Sequence, residues 1–207
     1  MNLYPFGKAV AGFFARLIFR IKYEGLENIP GGGGYILACN HPSNFDPIII
    51  AQPIPVMVRY MAKVQLTRIP VAGWVIARLG IIPVMRGEND GGVAIGKAIE
   101  AVRQGSVLGV FPEGRRNLTD KPLRPRSGVG LIAGQTGADV LPMAISYSNG
   151  RRPLSRITVR YGQMIPNTEL GVDAASPATM RKASRLVMDN IIALMEPPPN
   201  TGEESSG

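Results

Sequence analysis

The apolar run Tyr35-Ile36-Leu37-Ala38-Cys39 stops at a polar heptad, Asn40-His41-Pro42-Ser43-Asn44-Phe45-Asp46. An apolar run of that length reads as a short buried strand. The heptad then falls in the loop at the strand's carboxyl end, where open α/β sheets hold their chemistry. His41 is the one histidine of the chain. Five residues along a regular helix turn Asp46 by about 140° away from His41, so the two side chains meet only where the loop folds back. Pro42, Ser43 and Asn44 are turn-forming residues. In a folded loop the Asp46 carboxylate accepts a hydrogen bond from one imidazole nitrogen. That fixes the tautomer and leaves the other nitrogen to take a proton from a hydroxyl. The same spacing also suits a histidine that is only a structural hydrogen-bonding group, and the heptad alone leaves both readings open.

A second apolar run, Val107 to Phe111, ends in Pro112-Glu113-Gly114-Arg115-Arg116-Asn117, a turn carrying a carboxylate and two guanidiniums. With the histidine-aspartate loop, this strand-end turn resembles the 1-acylglycerol-3-phosphate acyltransferase family, which converts lysophosphatidic acid to phosphatidic acid. The family's corresponding blocks read NHxSxxD and FPEGTRS. Lys63-Val64-Gln65-Leu66, followed by Pro70, Gly73, Gly80 and Arg86, is similar to a further block, and Val140-Leu141-Pro142-Met143-Ala144-Ile145 to another. The lead-in Glu24-Gly25-Leu26-Glu27-Asn28-Ile29-Pro30 is also family-like, so the resemblance runs in order from about residue 23 to about 146. The chain departs from the pattern in two places. Gln65 stands where Glu is common, and Gly114-Arg115-Arg116-Asn117 stands where Gly-Thr-Arg-Ser is common, which makes Arg115 an extra cation.

The resemblance implies an α/β, glycerolipid acyltransferase-like single domain with a central mixed sheet flanked by helices. It implies His41 as general base and Asp46 as its orienting partner. Lys63 and Arg116 fall to the acceptor phosphate, where a planar guanidinium suits bidentate contact. Arg115 adds to that charge, and Gly114 belongs to the same substrate loop. Glu113 either organises this loop or holds a glycerol hydroxyl, with simple pairing to an arginine as the plain alternative. The implied donor is a fatty acyl thioester carried on coenzyme A or acyl carrier protein. It is already activated, so no cofactor, metal or ATP is called for.

Charge narrows the class of partner. A formal net charge of +8 favours anionic ligands, whether nucleic acid, anionic lipid or phosphorylated substrates. Nucleic acid is disfavoured by an aromatic content of 6% and by the lack of a reading motif. One cysteine rules out an internal disulfide framework and fits a reducing compartment, and one histidine with one cysteine cannot build a zinc site. Cys39 lies inside the apolar run, where a thiol behaves as a small hydrophobe rather than a nucleophile.

Residues 3–21 read as an amphipathic helix lying on a membrane surface. Phe13, Phe14, Leu17, Ile18 and Ile21 recur at helical spacing, and Lys8, Arg16, Arg20 and Lys22 are placed to face phosphate headgroups. The apolar run Ala9 to Ala15 is too short to span a bilayer, and no convincing cleavage site for a signal peptide follows it. Packing of this helix on its own domain is the competing reading. The expected division is a membrane-associating helix at 1–22, an acyltransferase domain at 23–196 and a disordered tail at 197–207, on the cytoplasmic face of the cell membrane as a peripheral protein. Gly31 to Gly34 read as a flexible connector.

Between the blocks, the expected elements are a short helix over 47–51 and a strand over 56–62. A broken helix over 65–79 and a strand over 81–85 follow, then a helix to Arg103 capped by Asp90. Further on come a helix over 127–136, strands over 140–147 and 157–161, and a terminal helix over 177–195. Strand, helix, strand in alternation points to helices on a central sheet. Two rivals stay open: the same chemistry on glycerol-3-phosphate or another lysolipid, and a non-enzymatic basic membrane-binding protein.

Overall fold

The computed structural model describes residues 4–63, 81–84, 90–119, 121–148 and 150–195. Among the described residues seven strands form one mixed sheet: β1 (Arg20–Glu24), β2 (Ile36–Cys39), β3 (Val58–Lys63), β4 (Ile82–Val84), β5 (Val107–Val110), β6 (Val140–Tyr147) and β7 (Arg156–Tyr161). Their order is β1-β7-β6-β2-β5-β3-β4. From β6 to β4 every neighbouring pair is parallel, while β7 runs antiparallel to β6 and carries β1 parallel to itself at the far edge. The α-helices among the described residues are α1 (Tyr4–Ile18), α2 (Asp46–Ala51), α3 (Asp90–Arg103), α4 (Gly128–Thr136), α5 (Asn167–Leu170) and α6 (Pro177–Met195).

Strand parity divides the core. Ile36 and Ala38 of β2 face a cluster formed with α3, α4 and α6, whereas Leu37 and Cys39 face a second cluster formed with α1 and α2. All four are fully buried, as a strand covered on both faces requires. The expected α/β domain, a mixed sheet between helical layers, is what forms. The expected terminal helix matches α6, and the expected strand at 140–147 matches β6. The helix expected over 65–79, Arg86, and the tail from Pro197 lie outside the described residues. Asp90, expected to cap this helix, is the first described residue of α3, and the residues before it lie outside the described ones.

The amino-terminal segment departs from expectation at its end. The helix stops at Ile18, and Arg20–Glu24 is a strand paired with β7, Arg20 opposite Arg156 and Glu24 opposite Arg160. Ile21 fits a helical stripe after Ile18 and equally fits the period-two alternation Arg20-Ile21-Lys22-Tyr23. The free edge of β7 decides between them, because it supplies ladder hydrogen bonds at every second residue. Arg20 and Lys22 therefore project from a sheet edge, not from the helix. Lys8 also turns inward: its ammonium donates to the Ile54 carbonyl, and burial lowers its pKa. The exposed side of α1 carries Phe6, Val10, Phe13, Phe14 and Leu17, with Phe13 and Phe14 in an edge-to-face pair 5.7 Å apart.

The glycine run is more than a connector. Gly33 lies so close to Gly105 that an added Cβ would stand 2.0 Å from its carbonyl oxygen. The next residue's N–H donates to the Ser106 carbonyl, tying the entry of β2 to the entry of β5.

Candidate active site

β2 and β5 are parallel neighbours, Ile36 opposite Leu108 and Ala38 opposite Val110, so the loops that follow them leave the same edge of the sheet. The first loop begins by prolonging its strand. The Asn40 side chain accepts from the Ile145 N–H at 2.9 Å and donates to the Ile145 carbonyl at 3.0 Å, in the way a backbone pair would. The chain then folds back. Phe45 N–H donates to Ser43 Oγ, and Ser43 N–H donates to Asp46 Oδ2 at 2.6 Å. This brings Asp46 Oδ2 within 2.8 Å of His41 Nδ1. A carboxylate only accepts, so the shared proton belongs to Nδ1 and Nε2 is left as the basic nitrogen. Asp46 is fully buried, and its other oxygen accepts from the Tyr147 hydroxyl at 2.7 Å.

An aromatic column holds the imidazole from the side. Tyr60 on β3 stacks on Phe111 at 6.0 Å, and Phe111 stacks on His41 at 3.9 Å with the rings 16° from parallel. Gly109 makes this possible. It sits opposite Tyr60 in the ladder, and a Cβ there would stand 2.1 Å from the tyrosine ring.

The second loop is clamped to the first, since Asn117 N–H donates to the His41 carbonyl at 2.8 Å. Inside it Glu113 is 4% exposed. Its Oε1 accepts from Asn117 Nδ2 at 2.9 Å and from Leu123 N–H at 3.0 Å. Its Oε2 is buried with no hydrogen-bond partner among the described residues. Gly114 takes φ +69°, and a Cβ there would meet the Arg126 side chain at 2.5 Å, so this turn strongly favours glycine. Arg115 and Arg116 project into solvent from the turn. Lys63 ends β3 at the same edge of the sheet as both loops.

A cleft of about 430 Å³ opens beside the histidine loop, lined by Asn40, Pro42, Glu113, Asn117, Tyr147 and Arg151 among others. Arg151 donates to the carbonyls of Asn117 and Leu118, holding the β6–β7 connection against the second loop. Cys39 is sealed beneath. Burial first, then the charges of Asp46 and Glu113, push its thiol well above its ordinary pKa, which unfits it as a nucleophile. Three contributors escape the sequence reading. Asn117 stands out there only as a departure from serine, Tyr147 lies 101 residues from its partner, and Phe111 reads as a strand residue.

Comparison with known proteins points the same way. A family model described as Acyltransferase matches residues 20–146. The chain is 33% identical over 125 residues to the 1-acyl-sn-glycerol-3-phosphate acyltransferase of Bacillus subtilis, covering 60% of this chain and 61% of that protein. With the enzyme of the same name from Borreliella burgdorferi it shares 33% over 131 residues, 63% of this chain and 52% of that one. Among solved structures it is similar to the 1-acyl-sn-glycerophosphate (LPA) acyltransferase PlsC from Thermotoga maritima. That match has a TM-score of 0.74 at 26% identity and covers 93% of this chain and 79% of the other. The matched region spans little more than half the length of the two curated relatives.

Proposed function

The chain belongs to the acyltransferase family, and from that premise we propose that it moves a fatty acyl group from an acyl thioester to the free hydroxyl of 1-acyl-glycerol-3-phosphate, giving phosphatidic acid. The observation that carries this reading is the His41–Asp46 pair, 2.8 Å apart, in a loop whose residues Asn40 and Pro42 line a cleft shared with Glu113 and Asn117 of the second loop. The relatives' names supply the acceptor. His41 Nε2 takes the hydroxyl proton as the oxygen attacks the thioester carbonyl, and Asp46 stabilises the imidazolium that results. When the tetrahedral adduct collapses, the C–S bond breaks and the imidazolium returns its proton to the departing thiolate. Transfer is direct, because the thiol nearest the base is buried and held protonated. Lys63 and Arg116 serve the acceptor phosphate, with Arg115 adding charge, and the donor rides on coenzyme A or acyl carrier protein.

One observation favours a second acceptor. Glu113 Oε2 is buried without a hydrogen-bond donor among the described residues, and glycerol-3-phosphate carries one more free hydroxyl than its acylated relative. A working site on a membrane surface, with the protein peripheral, fits the phenylalanine-bearing face of α1. Among the described residues no helix is long and apolar enough to cross a bilayer.

The test offers lysophosphatidic acid and glycerol-3-phosphate in parallel to purified protein with acyl-coenzyme A, the products being resolved by mass spectrometry. Phosphatidic acid from the lysolipid alone is the expected result, and His41→Ala is expected to lower turnover by about 10²–10⁴-fold with no loss of fold. Near-normal turnover by a folded His41→Ala protein would sink the base assignment.

A further inference from the structure

Asp46 is a fully buried carboxylate, so each oxygen must find donors inside the protein. Oδ2 has two, Ser43 N–H and His41 Nδ1. If Oδ2 alone were held, the carboxylate could still swing, because its terminal torsion has broad, weakly defined minima. Oδ1 is held by the Tyr147 hydroxyl at 2.7 Å. The ring that carries this hydroxyl is itself fixed. Tyr147 is the last residue of β6, paired with Ile157 of β7, and Phe19 meets its ring edge-on at 6.3 Å and 85°. Burial, then the charge of Asp46, raise the phenol's pKa well above its ordinary value, so the hydroxyl keeps its proton wherever the enzyme works.

We propose that Tyr147 is a positioning residue for acyl transfer: it fixes Oδ1 of Asp46 so that Oδ2 stays aligned with His41 Nδ1, and it acts on the reaction only through that pair. This rests on the general-base reading of His41. Tyr147 also lines the cleft, so the alternative to be separated is direct contact with substrate. A positioning group alters the reactivity of the base and spares substrate affinity, whereas a contact group alters affinity.

Tyr147→Phe keeps the ring against Phe19 and removes only the hydroxyl. The expected result is a fall in kcat of about 10- to 100-fold with KM within about twofold of the parent. In an Asp46→Asn background the same change is expected to lower kcat by less than about twofold, because the hydroxyl has lost the carboxylate it positions. His41 is the one histidine of the chain, so its ring N–H proton gives a single low-field resonance, expected to shift or broaden in Tyr147→Phe. A raised KM with kcat unchanged would overturn the proposal by making Tyr147 a substrate contact. Unchanged kcat in Tyr147→Phe, beside an inactive His41→Ala, would overturn the positioning role alone. Full activity in His41→Ala would instead remove the general-base reading on which it stands.

Discussion

Removing the Asn117 amide leaves Glu113 Oε1 with the Leu123 N–H alone and the Lys121 carbonyl with the Thr119 hydroxyl alone. Asn117 Oδ1 also accepts from the Thr119 N–H and hydroxyl. Asn117→Ala is expected to cost about 1–3 kcal/mol, because partners at a buried site lose their hydrogen bonds. The cost appears as a lower midpoint in chemical denaturation, together with reduced acyl transfer as the loop around Glu113 loosens. His41 and Asp46 were legible because a single loop holds both and its turn formers sit between them. Asn117 was visible only as an oddity, since its value lies in reach: its amide serves Glu113 and Lys121 while its carbonyl serves Thr119. Tyr147 could not be read at all, for nothing in sequence spacing joins the end of β6 to the start of α2. The aromatic column was hidden likewise, because Gly109 reads as a weak strand residue until Tyr60 is seen lying over it.

α1 and β1 divide a segment that reads as one helix in the sequence. The split changes which groups can meet a lipid surface: the phenylalanines remain on the helix, while Arg20 and Lys22 pass to the sheet edge. Replacing Phe13 and Phe14 together by Ser is expected to weaken binding to phosphatidylglycerol vesicles by roughly tenfold or more, from about 1–2 kcal/mol of lost burial per ring. Co-sedimentation checks this, with the unfolding midpoint unchanged because both rings are exposed in the protein. β1 itself is secured to β7 by Glu24, which accepts from Arg160 Nε at 2.7 Å and pairs with Lys22 at 2.8 Å. The Lys22 hydrogen bond first, then Arg160, hold the Glu24 carboxyl below its ordinary value of 4.5. The folded chain therefore gives up this proton more readily than the unfolded one. The stabilisation is complete above that ordinary value and is lost as pH falls beneath it. With the pair partly exposed, Glu24→Gln is expected to lower the thermal midpoint by only about 1–2 °C at neutral pH, and by progressively less as the pH falls below the ordinary carboxyl value.

At the scale of the whole molecule, the buried strands, the terminal helix and the layered architecture were readable because long periodic runs leave few choices. The order of strands was not. Whether β5 lies beside β2, and so whether the two polar loops meet, depends on contacts between residues far apart in the chain. That topology also sets a timetable. Arg20–Glu24 is made well before its ladder partner Arg156–Tyr161, and pairing across such a span is slow. Until Arg156–Tyr161 has been made, α1 thus precedes the strand pairing beside it, with its phenylalanines uncovered. Through that interval a helix with an exposed phenylalanine face precedes a sheet that has not closed, so α1 has the chance to settle on an apolar surface before the two polar loops are brought together.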